Sequence, residues 1–253
     1  MTEGAHPIKT AVILAAGRGV RLGKKGETIP KGLLEFGGET LITRSLHQLF
    51  SAGITKVFVV LGHLAKEYEK VLGQFNSVTT VFNPFYSTSG SMQSLLQVRH
   101  LVYEPFLLLE SDIIYERRGL SSLLNSRAES ALLVSGLTGS GDEVWVQAHD
   151  GKLTNLSKML GSDAAALGEF VGITKVSSNL FKQICTFALD SGGEPVQMDY
   201  EQGMLAASRV EFVETVFVED FIWGEVDNDE QERRVRSIVL PKIQASAEDV
   251  EGS

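Results

Sequence analysis

The sequence predicts an α/β fold, a mixed and mostly parallel sheet flanked by helices. Three observations lead there. Strand-length runs such as residues 56–61 (KVFVVL) are apolar throughout, as expected of strands covered on both faces. Between such runs, apolar residues recur at helical spacing. The two signals alternate through the first half, the pattern of parallel strands joined by crossover helices. A chain of 253 residues, 43% hydrophobic and 22% charged, is long enough to bury a core of this kind.

The elements follow in order. Residues 10–14 form a short apolar strand that runs into a glycine loop. Residues 41–50 carry apolar side chains at 42, 46, 49 and 50, a helical stripe that Gly53 stops. Residues 56–61 are the next strand, 63–75 a helix, 78–82 a strand and 91–102 a helix. Residues 105–109 are a buried strand ending in Glu110-Ser111-Asp112. The second half changes character. Residues 144–148 and 152–156 flank Asp150-Gly151 and read as a β-hairpin. A strand at 170–176, helices at 179–189 and 200–209, a strand at 212–218 and a charged helix at 228–237 complete the pattern. The polar, acidic tail 244–253 is expected to be disordered.

The chemistry is concentrated in residues 14–31, LAAGRGVRLGKKGETIPK. This loop holds Arg18, Arg21, Lys24, Lys25 and Lys31 against one acid, Glu27, in a chain of net charge −9. Gly17 and Gly19 let the backbone approach a ligand and turn its N–H groups toward an anion. Arginine and lysine then neutralise it, and a polyphosphate is the simplest such ligand. The loop lacks GxxxxGK[ST], and its glycines are spaced GxGxxxG instead of the dinucleotide GxGxxG.

The pattern LAAGxGxRL followed by Pro30-Lys31 resembles the nucleotidyltransferases that join a nucleoside triphosphate to a phosphorylated small molecule. Within them it is most similar to the cytidylyltransferases acting on phosphocholine and related phospho- or phosphono-amines. The resemblance spans residues 9–238 and implies a Rossmann-like, GT-A-like nucleotidyltransferase fold. One domain is expected over 1–243, with a nucleotide-binding half at about 9–112 and an acceptor-binding half at about 113–243. It also implies CTP and magnesium, with Asp112 and Asp227 as metal ligands. Each of these aspartates ends an apolar strand, where a lone acid fits poorly, and each has a plain alternative as a helix cap. Glu110 and Glu225 stand beside them as supporting acids.

The resemblance further implies that Lys31 reaches the reacting phosphates and that Arg21 grips the departing pyrophosphate. Leu14, Ala15, Ala16, Gly17, Arg18, Gly19, Gly90, Ser91 and Ser94 are its candidate nucleotide contacts. Tyr86, Trp145, Asp199, Tyr200, Glu201 and Trp223 are candidate acceptor contacts, since an ammonium group needs aromatic faces and carboxylates. Lys24 and Lys25 read as a solvated pair. Transfer to a sugar or polyol phosphate and a noncatalytic nucleotide-binding regulator are the rival readings. A glycosyltransferase would want DxD where the chain has Glu110-Ser111-Asp112.

The acidic balance argues against a nucleic-acid partner. The sequence contains no run of 18 apolar residues that would span a membrane and no apolar leader after the first residues. A single cysteine, Cys185, rules out an internal disulfide, and a cytoplasmic location is expected.

Overall fold

A computed structural model describes residues 7–159, 165–191 and 195–251; the chain start at 1–6 and the last two residues of the expected tail lie outside the described residues. The first half runs β1 (Thr10–Ala15), β2 (Glu35–Phe36), β3 (Glu39–Thr40), α1 (Leu41–Ser51), β4 (Lys56–Leu61), α2 (Ala65–Leu72), β5 (Val78–Phe82), α3 (Ser91–Leu96) and β6 (Phe106–Glu110). The second half runs β7 (Ile113–Tyr115), α4 (Arg118–Asn125), β8 (Ala131–Ser135), β9 (Trp145–His149), β10 (Lys152–Ser157), β11 (Gly168–Val176), α5 (Ser178–Asp190), α6 (Tyr200–Ala207), β12 (Glu214–Val218), β13 (Trp223–Glu225), α7 (Asp229–Arg234) and α8 (Leu240–Glu251). A π-turn at Val235–Val239 joins the last two helices.

Among the described residues, nine strands make one sheet in the order β5-β4-β1-β6-β11-β8-β12-β10-β9. The first four are parallel, with β1 between β4 and β6. Alternate residues of β1 enter different cores, Val12 and Leu14 on one face and Ala11, Ile13 and Ala15 on the other. That two-sided burial explains the unbroken apolar runs. β11 runs antiparallel to both β6 and β8. β9 pairs back onto β11, so β11, β8, β12, β10 and β9 form a closed ring of pairings. The hairpin expected at 144–156 is present, and Asp150 and Gly151 both turn with positive φ.

A small second sheet decides where the acids go. β13 pairs antiparallel with β7, and the Val226 N–H donates to the Asp112 carbonyl at 2.9 Å. This ribbon draws residues 225–227 against residues 112–115. The sequence did not mark β2, β3, β7, α4 or β8.

Two expected helices have different lengths. The one starting at Ser91 ends at Leu96, where Gln97, Val98 and Arg99 donate three residues back in tight turns. At the chain's end, the expected disordered tail from 244 is instead helical to Glu251. Val235, Val239, Leu240 and Ile243 bury an apolar stripe against Leu22, Phe36 and Val226, and the helix continues beyond that anchor. Among the described residues, no helix is long and apolar enough to cross a membrane.

Candidate active site

The site lies beyond the carboxyl ends of β1 and β6, where β1 has parallel neighbours on both sides. In an open α/β sheet this switch point leaves a crevice. Leu14 faces Glu110 in the register, so the glycine loop and the Glu110-Ser111-Asp112 segment leave the sheet side by side. Between them is a cleft of about 340 Å³.

The glycine loop is not free coil. Residues Val20–Lys25 and Lys31–Leu33 make 3₁₀ turns, and Leu22 is buried. His63 Nε2 lies 3.0 Å from the Gly26 carbonyl, and the His63 N–H donates to Ala16 O. Lys25, expected to be solvated, forms an ion pair with Glu232 of α7 at 2.6 Å, because α7 packs beside the loop. Lys24 is exposed, as expected. Pro30 is extended and leads into the turn that aims Lys31. The Gly32 N–H donates to Tyr68 Oη at 3.1 Å, and a Cβ at Gly32 would lie 2.6 Å from that oxygen. Glycine is therefore required for this close approach.

Lys31 joins the two distant aspartates. Its Nζ donates to Asp112 Oδ2 at 2.8 Å and also contacts Asp227. Arg21 contacts Asp227 as well, and with its other nitrogen Asp142. The cap alternatives fail for both aspartates. Asp112 is followed by β7 and not by a helix. Asn228, not Asp227, caps α7, accepting from the Glu230 and Gln231 N–H groups at 3.0 Å. Asp227 is left fully buried, with its carboxylate turned to the two cations.

The other side of the cleft is acidic. Tyr200 Oη donates to Glu110 Oε1 at 2.7 Å. A Cβ at Gly172 (φ +80) would lie 2.8 Å from Glu110 Oε2, so this strand glycine makes room for the carboxyl. Burial, aided by Glu201 and Asp112, pushes Glu110 up to about 8. Burial, then Asp112 and Glu110, push Glu225 up to about 8. Burial and Asp199 push Glu201 up to about 7. Among the described residues, six carboxylates line the cleft against three cations, Arg21, Lys31 and Lys158, so it has room for further positive charge.

Oxygens of Glu110, Asp112 and Glu225 lie within 4.8 Å of one another, and so do oxygens of Asp142, Glu225 and Asp227. This all-carboxylate donor set suits a hard divalent cation such as magnesium. Glu225 belongs to both groups, a more central place than the supporting position expected of it.

Most predicted site residues meet here. Leu14, Ala15, Ala16, Gly17, Gly90, Ser91, Ser94, Tyr86, Asp199, Tyr200 and Glu201 all line the cleft. Several are already engaged. Ser94 Oγ accepts from Asn83 at 3.0 Å. Asp199 Oδ1 accepts from Ser91 Oγ at 3.2 Å, and Ser91 Oγ accepts from the Tyr200 N–H at 2.9 Å.

Four predicted residues are elsewhere. Arg18 is exposed outside the cleft. Gly19 (φ +60) does not line it either, but lies where a Cβ would touch Lys31 Cγ at 3.4 Å, so it accommodates the lysine stem. Trp223 is turned into the core, where its indole N–H donates to Ser135 Oγ at 2.7 Å. A buried indole N–H needs such an acceptor. Trp145 sits on β9 opposite Glu169 and Ser157, outside the cleft.

Lys158 and Asp142 were missed. Both are charged residues in polar connections, with no motif to mark them. Tyr68 and Ser111 also line the cleft unannounced.

A model of the MobA-like NTP transferase domain matches residues 11–208. The chain is 31% identical over 137 residues to CMP-5'-(3-aminopropyl)phosphonate synthase from Streptomyces rubellomurinus, covering 53% of this chain and 22% of that relative. It is thus similar to only about a fifth of that protein's length. It is 27% identical over 197 residues to 2-aminoethylphosphonate cytidylyltransferase from Lancefieldella rimae, covering 75% of this chain and 76% of the relative. The fold matches the solved CTP:phosphocholine cytidylyltransferase from Streptococcus pneumoniae with a TM-score of 0.75 at 21% identity, over 91% of this chain and 99% of that one. With the glycine loop, the switch-point cleft and this match over most of its length, the chain belongs to the MobA-like NTP transferase domain family.

Proposed function

We propose that the chain is a cytidylyltransferase that transfers CMP from CTP to a small phosphono- or phospho-amine. An oxygen of the acceptor's phosphonate or phosphate attacks the α-phosphorus, a new P–O bond forms, and the bond to the β-phosphate breaks to release pyrophosphate. Both reactants are anions, so the barrier is largely one of charge and alignment. The N–H groups of the glycine loop and Arg21 bind the leaving phosphates. Lys31 stabilises charge at the phosphates being joined. Asp112 and Asp227, with Glu225 between them, would hold magnesium, which supplies Lewis acidity and charge neutralisation when bound.

One observation supports the acceptor class: Glu110, Glu201 and Tyr200 line the cleft, and neither tryptophan does. A trimethylammonium has no N–H to donate and favours aromatic faces. A primary ammonium has three N–H donors and needs acceptors. The walls therefore favour a primary amine, as in 2-aminoethylphosphonate, over choline. The names of the two sequence relatives, an aminopropyl- and an aminoethylphosphonate enzyme, agree with this reading, and that of the solved phosphocholine enzyme does not.

The test is a pyrophosphate-release screen that crosses four nucleoside triphosphates with 2-aminoethylphosphonate, phosphocholine, several sugar phosphates and a polyol phosphate, with and without magnesium. Turnover is expected with CTP and the primary phosphono-amine. Turnover confined to a sugar or polyol phosphate would reject the reading.

A further inference from the structure

β9 closes one end of the large sheet by pairing with β11, and among the described residues β5 at the other end pairs with β4 alone. The Val57 N–H donates to the Ser77 carbonyl and the Asn83 N–H to the Leu61 carbonyl, both at 2.8 Å. Every second residue of β5 therefore turns its backbone to β4, and Val78, Thr80 and Phe82 turn theirs outward. The Val78 N–H is used locally, donating to the Phe75 carbonyl at 3.1 Å. The Val78 carbonyl and both backbone groups of Thr80 and Phe82 form an open edge. Such an edge is a template for another strand, and proteins usually guard it with charge or proline. This one has neither. Residues 71–98 contain no Asp, Glu, Lys or Arg, in a chain that is 22% charged. Thr79 and Thr80 are exposed, and Phe82 keeps 54% of its surface exposed.

We infer that two copies of this chain pair through β5, antiparallel, so that their sheets become continuous. Charge selects a second copy as the occupant. At a net charge of −9 two copies repel over most of their surface, and this uncharged stretch is where they approach at least cost. The outward groups also complement themselves. A twofold axis at Thr80 sets Thr80 against the partner's Thr80, and Phe82 against the partner's Val78. Each Thr80 N–H then donates to the partner's Thr80 carbonyl, and each Phe82 N–H to the partner's Val78 carbonyl. The same patch serves on both sides, as a closed dimer requires. Each exposed Phe82 ring gains a β-branched cross-strand neighbour. Residues 78–82 are outside the cleft, so the pairing is independent of the reaction proposed above. A strand of five residues spans only about 17 Å, less than a standard interface, and a dissociation constant in the micromolar range is expected.

The experiment is sedimentation velocity from about 1 to about 200 μM, a range that brackets a micromolar constant. It compares wild type, Thr80→Lys, Thr80→Asp and an equal mixture of those two variants. Wild type should pass from monomer to dimer. Each variant alone should weaken the dimer about tenfold or more, because it sets like charges directly opposite each other across the axis. The mixture should pair again, because the new ammonium then faces the new carboxylate. Melting temperatures should stay near wild type, since Thr80 is exposed. Hydrogen exchange on wild type needs no variant: the Thr80 and Phe82 N–H groups should be protected in concentrated protein and exchange freely in dilute protein. Wild type that stays monomeric throughout overturns the inference. So does a dimer that both charged variants retain, which would lie on another surface. A mixture that fails to pair rejects the axis at Thr80, and exchange of those two N–H groups that ignores concentration rejects the edge itself.

Discussion

Lys31 Nζ lies 2.8 Å from Asp112 Oδ2, across 81 residues of chain. The same ammonium contacts the fully buried Asp227. One cation thus holds the ends of two separate strands together at the mouth of the sheet. Substrate phosphates and a divalent ion would enter between these groups.

Asp112→Asn should cut turnover by roughly a hundredfold or more, the scale of losing a charged group that acts on the transition state. The fold should survive, because Lys31 keeps Asp227. Pyrophosphate release and thermal unfolding measured on one sample check both parts. A normal rate would reject the metal assignment.

Lys31→Ala should lower kcat far more than it weakens CTP binding, because its charge is proposed to act on the phosphates being joined. Steady-state rates and equilibrium titration with CTP separate the two effects. A loss confined to affinity would contradict the role.

Tyr200 is buried, and its hydroxyl is bonded to Glu110, so truncation to alanine would open the core at roughly 3–5 kcal/mol. Tyr200→Phe is the cleaner change. It should raise the acceptor KM severalfold at nearly constant CTP KM and melting temperature, because only the partner that orients the Glu110 carboxyl is lost. An unchanged acceptor KM would place amine recognition elsewhere.

Asn228→Ala should cost about 1 kcal/mol, the usual price of a lost N-cap. It should also lower activity, since Asp227 immediately precedes that cap. Chemical denaturation reads the first effect and pyrophosphate release the second. Loss of stability with full activity would show that Asp227 is held without the cap.

Some of this site was legible in the sequence because local physics writes it there. Pro30 before Lys31, glycines after a buried strand, and acids ending apolar strands are each costly without a reason. That cost marked Asp112 and Asp227, the family resemblance marked Lys31, and the structure brings those three together. Trp145 and Trp223 were illegible for the opposite reason. An aromatic on a strand satisfies either face, and only Ser135, offered from β8, shows that Trp223 turns inward. Lys158 and Asp142 carry no local cost as surface charges, so nothing in the chain sets them apart.

By itself, then, the sequence determined the long strands and the places of the helices in the first half, though not β2, β3 or the end of α3, and where positive charge gathers, since both depend on neighbours a few residues apart. Tertiary structure alone decided that β13 would pair with β7 and carry Asp227 to Lys31. It alone closed β9 onto β11, and it alone set Lys158 opposite Arg21. Those relationships join residues far apart in the chain, and the energy that selects them comes from burial and charge pairing that exist only once the sheet is assembled.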